Sequence, residues 1–124
     1  MIILTVDDEY YSRKGIVDIL QGAGCAYTLI EAPDAFEAIR ICAERPVDVV
    51  VADIRMPGMD GLAMIEQLRH AHPGMDYVII RGSDHFTYAH TALRMGAVGF
   101  ILQPLPPEEL LTPVRALADQ RKKK

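Results

Sequence analysis

The chain has 124 residues, 50% of them hydrophobic and 24% charged, with a formal net charge of −4. That length suits one domain around one core, and the acidic balance gives no basis for nucleic-acid binding by the domain as a whole. No signal-peptide pattern opens the sequence and no apolar run approaches the roughly 20 residues that span a bilayer, so a cytoplasmic, non-membrane protein is expected.

Strand-like and helix-like patterns alternate five times. IILTV (2–6) is short, β-branched and apolar on both faces, which predicts a strand buried on both sides. From Tyr10 to Gln21, Ile16, Val17, Ile19 and Leu20 gather on one helical face, and Gly22 and Gly24 stop the helix. YTLIEA (27–32) is a second, more polar strand. Asp34 can cap the next helix with Glu37 three residues on, and Ala35, Ala38, Ile39 and Cys42 form its apolar stripe. Cys25 and Cys42 lack CxxC spacing and have no second pair, so both are expected as reduced thiols, Cys42 in the core.

VDVVVAD (47–53) is the clearest buried strand, MPGMDG is turn punctuation, and Leu62, Ile65 and Leu68 mark a third helix. YVIIR (77–81) is a fourth strand, with Phe86, Ala89 and Leu93 following at helical spacing. VGFIL (98–102) is the fifth strand. Pro106, Pro107, Glu108 and Glu109 then suit a helix start, and Leu110, Val114 and Leu117 supply its apolar face. Pro113 would cost about 3 kcal/mol deep in a helix. The last helix therefore either kinks there or restarts with Thr112 as its cap. The terminal RKKK reads as a solvated tail.

Five doubly apolar strands, each followed by a helix, imply an α/β fold: a parallel sheet covered on both faces in a three-layer sandwich. Ligands of such sheets bind beyond the carboxyl ends of the strands. There the sequence places Asp7 and Asp8, Asp53, Arg81, and Gln103 before Pro104. Three carboxylates on one rim repel unless a cation joins them, and Mg²⁺ takes oxygen ligands and often shares a phosphoryl group. Asp53, where a strand meets a turn, could then project as a nucleophile. Singly, such acids are as often structural, and Asp8 can simply cap the first helix. Three at neighbouring strand ends are much harder to obtain by accident.

The succession of VDDE, DIRMPGMDG and GAVGFILQP resembles the receiver domain of two-component response regulators, from about Ile2 to about Leu117. The DxxMPxMDG core, Asp53 to Gly61, is highly specific. The run RGSDHFTYAHTALRMGAVGFILQP, with Phe86, Tyr88 and Ala89, further resembles receivers of AraC-type regulators. The resemblance implies a flavodoxin-like (βα)5 fold with strand order 2-1-3-4-5. It also implies a receiver over residues 1–118, with 119–124 a basic tail or the start of a linker to an output domain. Asp53 matches the phosphoacceptor of a partner histidine kinase; Asp7, Asp8 and Asp53 match the acids around Mg²⁺, with the backbone carbonyl of Arg55 as a further ligand. Phe100 matches the aromatic switch position, and Pro104 the proline after a cis peptide bond from Gln103.

Two positions depart from the family pattern. The fourth strand ends in Arg81-Gly82 where Ser or Thr and a small residue are usual, and the fifth in Gln103-Pro104 where Lys-Pro is usual. Gly82 fixes the register; sliding the strand to place Ser83 in the pocket breaks that match. Both changes fall on groups expected to touch phosphoryl oxygens. Gln103 keeps a neutral hydrogen bond in place of a charge-assisted one, and Arg81 restores the charge from another corner. Either Arg81 turns inward to bridge Asp53 or Asp8, giving a pseudo-receiver that acts by phosphorylation-independent protein interaction, or it points outward and Asp53 still takes phosphate with a weakened switch.

Other features carry less. His70 and His72 lie near a helix end and His85 and His90 are five apart, a poor transition-metal arrangement. Met56, Met59 and Met64 suit turn and core packing. Arg94 and Arg115 lie on the last two helices, which with the fifth strand form the face through which receivers commonly dimerise. A phosphoester hydrolase with an aspartyl nucleophile would want an acid at position 55, where Arg55 stands, so no enzyme turning over such a substrate is expected. A nucleotide or flavin binder would want a Gly-rich loop where DDEYYSRKG presents acids. DNA contact is expected only through an output domain outside these residues.

Overall fold

The computed structural model describes residues 1–23, 27–53, 58–81, 99–102 and 107–122, with the backbone alone described for Arg81 and residues 99–102. The helix expected around Phe86, Ala89 and Leu93 lies outside the described residues, as do Gly24 and Cys25. In chain order the elements are β1 (Ile2–Val6), α1 (Tyr10–Gln21), β2 (Thr28–Ala32), α2 (Ala35–Glu44), β3 (Val49–Asp53), α3 (Gly61–Ala71), β4 (Asp76–Arg81), β5 (Gly99–Leu102) and a C-terminal helix (Pro107–Lys122). The five strands form one sheet in the order β2-β1-β3-β4-β5, and every neighbouring pair is parallel. Fold class and strand order are those expected from the sequence.

Strand parity explains why the sheet is covered on both sides. Leu4 and Val6, Val50 and Ala52, and Tyr77 and Ile79 face one way, into a core with Ala38, Cys42, Ile65 and Leu68 of α2 and α3. Ile3, Val49, Val51, Val78 and Ile80 face the other way, against Ile16 and Leu20 of α1 and Leu110, Val114 and Leu117 of the C-terminal helix. Successive residues of a strand point to opposite faces, so a sheet sandwiched by helices needs apolar residues at every position. The helix stripe of α2 differs slightly from the expectation. Ile41 is buried with Ala35, Ala38 and Cys42, whereas Ile39 is only partly buried. Burial pushes the Cys42 thiol up to about 11, making it an inert core group.

The helix starts follow local capping chemistry. Asp34 accepts from the Glu37 N–H at 2.8 Å and Asp60 from the Ala63 N–H at 2.8 Å. Gly22 caps the end of α1 through its N–H to Asp18. The C-terminal helix begins at Pro107 with Glu108 and Glu109 in its first turn, and it continues through Pro113 without a restart at Thr112. Pro113 gives that turn no N–H for the carbonyl of Glu109, so the helix is held there by Leu110, Val114 and Leu117 in the core.

The reading of residues 119–124 as a tail meets a helix that runs on to Lys122. Arg121 is the reason. Its guanidinium reaches Asp48 Oδ1 at 3.2 Å and Asp76 Oδ2 at 3.0 Å, and also donates to the carbonyls of Asp48 and Gly74. Asp48 accepts in addition from the Ile2 N–H at 2.7 Å. One planar fork thus ties the last helical turn to the starts of β3 and β4. Arg121→Ala is expected to lower domain stability by about 1–2 kcal/mol, since charge-assisted bonds at a partly exposed site are lost. Urea denaturation of the variant beside the parent chain measures this directly.

Candidate functional site

β1 and β3 lie side by side with Val6 opposite Ala52, so the residues that follow them emerge together at the carboxyl edge of the sheet. Those residues are Asp7 and Asp8 after β1, and Asp53 as the last residue of β3. One carboxylate oxygen from each lies within 4.8 Å of the others, with Asp7 fully buried, Asp53 half-buried and Asp8 exposed. Among the described residues this is the one group of three or more metal-type ligands so assembled. The three acids singled out in the sequence therefore share one cup.

Asp7 is the unusual member. Its N–H donates to the carbonyl of Ala32 at 3.2 Å, and its Oδ1 accepts from the Glu9 N–H at 2.9 Å. Its Oδ2 is buried with no hydrogen-bond partner among the described residues. Burial raises the Asp7 carboxyl above its ordinary range. The neighbouring charges of Asp8 and Glu9 add to the rise, and hydrogen bonds from Ser12 and the Glu9 backbone oppose it. A hard divalent cation suits this donor set, because carboxylate oxygens at such spacing are the ligands it takes and Asp7 has an oxygen to offer.

The capping role that Asp8 could have filled belongs to Glu9. The Glu9 carboxylate accepts from the N–H groups of Tyr11 and Ser12 at 3.3 and 3.0 Å, and its extended backbone opens α1. Asp8 is one residue outside the cap, at the rim. Gly58, five residues after Asp53, has φ +84°. That left-handed backbone favours glycine, and a Cβ there would lie 3.0 Å from the ring of the exposed Phe36, which would have to shift slightly.

Arg81 ends β4, its backbone opposite Leu102 and one residue past Ile80, the register partner of Asp53. The main chain thus carries Arg81 to the same edge as the acids, while the direction of its side chain lies outside the described residues. Phe100 is placed in β5 opposite Ile79. Arg55, Gln103 and Pro104 lie outside the described residues, as do Ser83, His85, His90, Arg94 and Met56. His70 meets Glu66 at 3.1 Å on the surface of α3, and His72 caps the end of that helix. Met64 is in the core and Met59 packs against it. Arg115 pairs with Glu108 of its own helix at 3.4 Å.

Two residues of this edge had no signal in the sequence pattern. Arg13 and Glu31 sit in segments read only as helix and strand, yet Arg13 Nε meets Glu31 at 3.0 Å and Arg13 Nη1 meets the Asp7 carbonyl at 2.8 Å. Their separation along the chain, 18 residues, hides the pair from any periodicity argument.

The comparisons with known proteins agree with this geometry. Residues 3–115 match the family described as the response regulator receiver domain. The chain is 33% identical over 121 residues to the sensor kinase CckA of Brucella abortus, covering 96% of this chain and 13% of the kinase. It is likewise 33% identical over 108 residues to the DNA-binding transcriptional regulator NtrC of Escherichia coli, covering 87% of this chain and 23% of NtrC. The chain therefore spans well under half of either relative. The crystal structure of a signal receiver domain from Pseudomonas fluorescens superimposes with a TM-score of 0.90 at 24% identity, covering 99% of this chain and 98% of that one, which speaks to the fold. With the family model matched across nearly the whole chain and the strand order and acid cup in place, the chain belongs to the response regulator receiver domains, which are signalling modules rather than classical enzymes.

Proposed function

We propose that this receiver works by phosphorylation of Asp53, with Asp7, Asp8 and Asp53 holding Mg²⁺ together with the backbone carbonyl of Arg55. The observation that carries the reading is the cup itself: three carboxylates within 4.8 Å, one of them buried with an unpartnered oxygen. An acid so placed costs stability unless a cation joins it. Mg²⁺, when bound, offsets the charge of the acids so that an anionic phosphoryl group can approach.

The remaining chemistry belongs to the chain. An oxygen of the Asp53 carboxylate forms a bond to phosphorus as the phosphorus–nitrogen bond of a phosphohistidine on a sensor histidine kinase breaks. The histidine nitrogen leaves with the electron pair and takes a proton from solvent. Asp53 is suited to this because β3 ends on it and its half-buried carboxylate shares the rim with those of Asp7 and Asp8. Gln103 and Arg81 are the proposed phosphate contacts, a neutral donor and a permanent cation respectively, and Phe100 is the proposed switch position. Pro104 follows the proposed cis peptide. The relatives include a transcriptional regulator in which the matching segment is a minor part. Control of an attached transcriptional output domain is the corresponding proposal for the whole protein.

The test is incubation with a small phosphodonor in Mg²⁺, followed by intact-mass analysis and peptide mapping. One phosphoryl group per chain at Asp53 is expected, absent in Asp53→Asn and absent when Mg²⁺ is chelated. A chain left unmodified at saturating donor and Mg²⁺ rejects the reading.

Asp7 gives a second test. Its folded carboxyl lies above the ordinary value of 3.8, so its stabilising contribution is fully present below about pH 4 and is lost as pH rises through the folded value. Above that folded value the metal-free domain carries the cost of a buried charge. Asp7→Asn is expected to make the metal-free domain more stable above the folded value of Asp7, seen as a higher urea midpoint, and to abolish stabilisation by added Mg²⁺. Urea titrations with and without Mg²⁺ at several pH values check both signs.

A further inference from the structure

A side chain outside the acid cluster reaches the main chain that carries Asp7 and Asp8. Arg13 lies on the first turns of α1, and its side chain is 13% exposed. Its Nη1 donates to the carbonyl of Asp7 at 2.8 Å. Its Nε donates to Glu31 Oε1 at 3.0 Å, and Lys14 holds the other oxygen of Glu31 at 2.8 Å. Glu31 is the penultimate residue of β2, next to Ala32, whose carbonyl receives the Asp7 N–H. The fork therefore spans from the edge strand to the turn that carries the acids.

We infer that Arg13, braced by Glu31, is a positioning residue for cation binding in the cup. The carbonyl it grips belongs to the peptide unit shared by Asp7 and Asp8, and that unit is planar. Fixing its oxygen fixes the plane, and the plane sets the angle at which the buried Asp7 and the exposed Asp8 leave the main chain. The Ala32 carbonyl restrains Asp7 from the N–H side; Arg13 restrains it from the other. One restraint comes directly from β2 and the other from α1, which Arg13 braces on Glu31 of β2, so the two acids are pinned from two elements rather than left to the turn. The charge arrangement agrees with such a role. Glu31 is held ionised below its usual range by Lys14 and Arg13, which keeps part of the positive charge of this cluster balanced instead of opposing a cation nearby. A lysine at position 13 could reach one of the two acceptors but lacks the planar fork that bridges both.

This inference rests on the Mg²⁺ reading above, and its test separates the two. Mg²⁺ affinity is measured by calorimetry for the parent chain, Arg13→Ala, Arg13→Lys and Glu31→Gln, and the urea midpoint of each is measured in chelator. Outer partners of metal ligands typically cost 10–100-fold in affinity when removed, so Arg13→Ala is expected to weaken Mg²⁺ by about 10-fold or more. Arg13→Lys and Glu31→Gln are expected to fall between it and the parent chain. The variants are compared under conditions where their urea curves show them folded, so the affinity change is read apart from any loss of stability. Equal Mg²⁺ affinity in the parent chain and folded Arg13→Ala or Arg13→Lys overturns the positioning role while leaving the cup intact. A parent chain that binds no Mg²⁺ overturns the cup reading, and this one with it.

Discussion

Everything distinctive about this domain follows from mutual repulsion at one edge of a sheet. Asp7, Asp8 and Asp53 are brought within a few ångströms of one another, and Asp7 is taken out of solvent as well. Nothing in the local sequence favours that arrangement, because like charges so close oppose ionisation of at least one of them. The scaffold imposes it. β1 and β3 are central strands paired along their length, with Val6 against Ala52, and neither can move without breaking the ladder and exposing the core. Stability accumulated in two apolar cores is thus spent at a single rim.

The opposite edge of the same sheet makes the contrast plain. There Asp48 and Asp76 also approach one another, at the starts of neighbouring strands β3 and β4, and Arg121 stands between them. That acidic pair has its cation within the chain and is structural; its Asp48 carboxylate even supplies a cap for the Ile2 N–H. The carboxyl edge groups its acids around a buried oxygen instead. Burial differs between the edges, with Asp7 fully buried and Asp48 and Asp76 part-exposed, although residue types are alike. That difference, more than the presence of aspartates, separates a site from a fastening.

How much of this was legible depends on the range of the interaction. The strands were, because a parallel sheet covered on both faces forces unbroken apolar runs such as VVVAD, and the helices of α1–α3 were, because Asp34 and the glycine at 22 leave local marks. The acid cup was legible one step further on, since strand ends in such a fold share an edge by topology alone. Asp8 as a possible cap was not settled by sequence: Asp8 and Glu9 are adjacent acids, and only the extended backbone at Glu9 selects it. Arg121 read as part of a basic tail because its partners lie 73 and 45 residues away. Arg13 was invisible for the same reason. Long flexible cations reveal their roles only when the fold has chosen their acceptors.

Arg81 brings these strands of reasoning together. The two guanidinium groups described at the sheet edges each bind backbone carbonyls and carboxylates at once, Arg121 at the amino edge and Arg13 behind the acid cup. A planar fork joins separate elements in both places, which a point-charge ammonium does less well. Arg81 is carried by β4 to the carboxyl edge, one residue past the partner of Asp53. At that position this chain puts arginine where the receiver pattern has a small hydroxyl, and the strand ladder on both sides of β4 fixes where the main chain presents it.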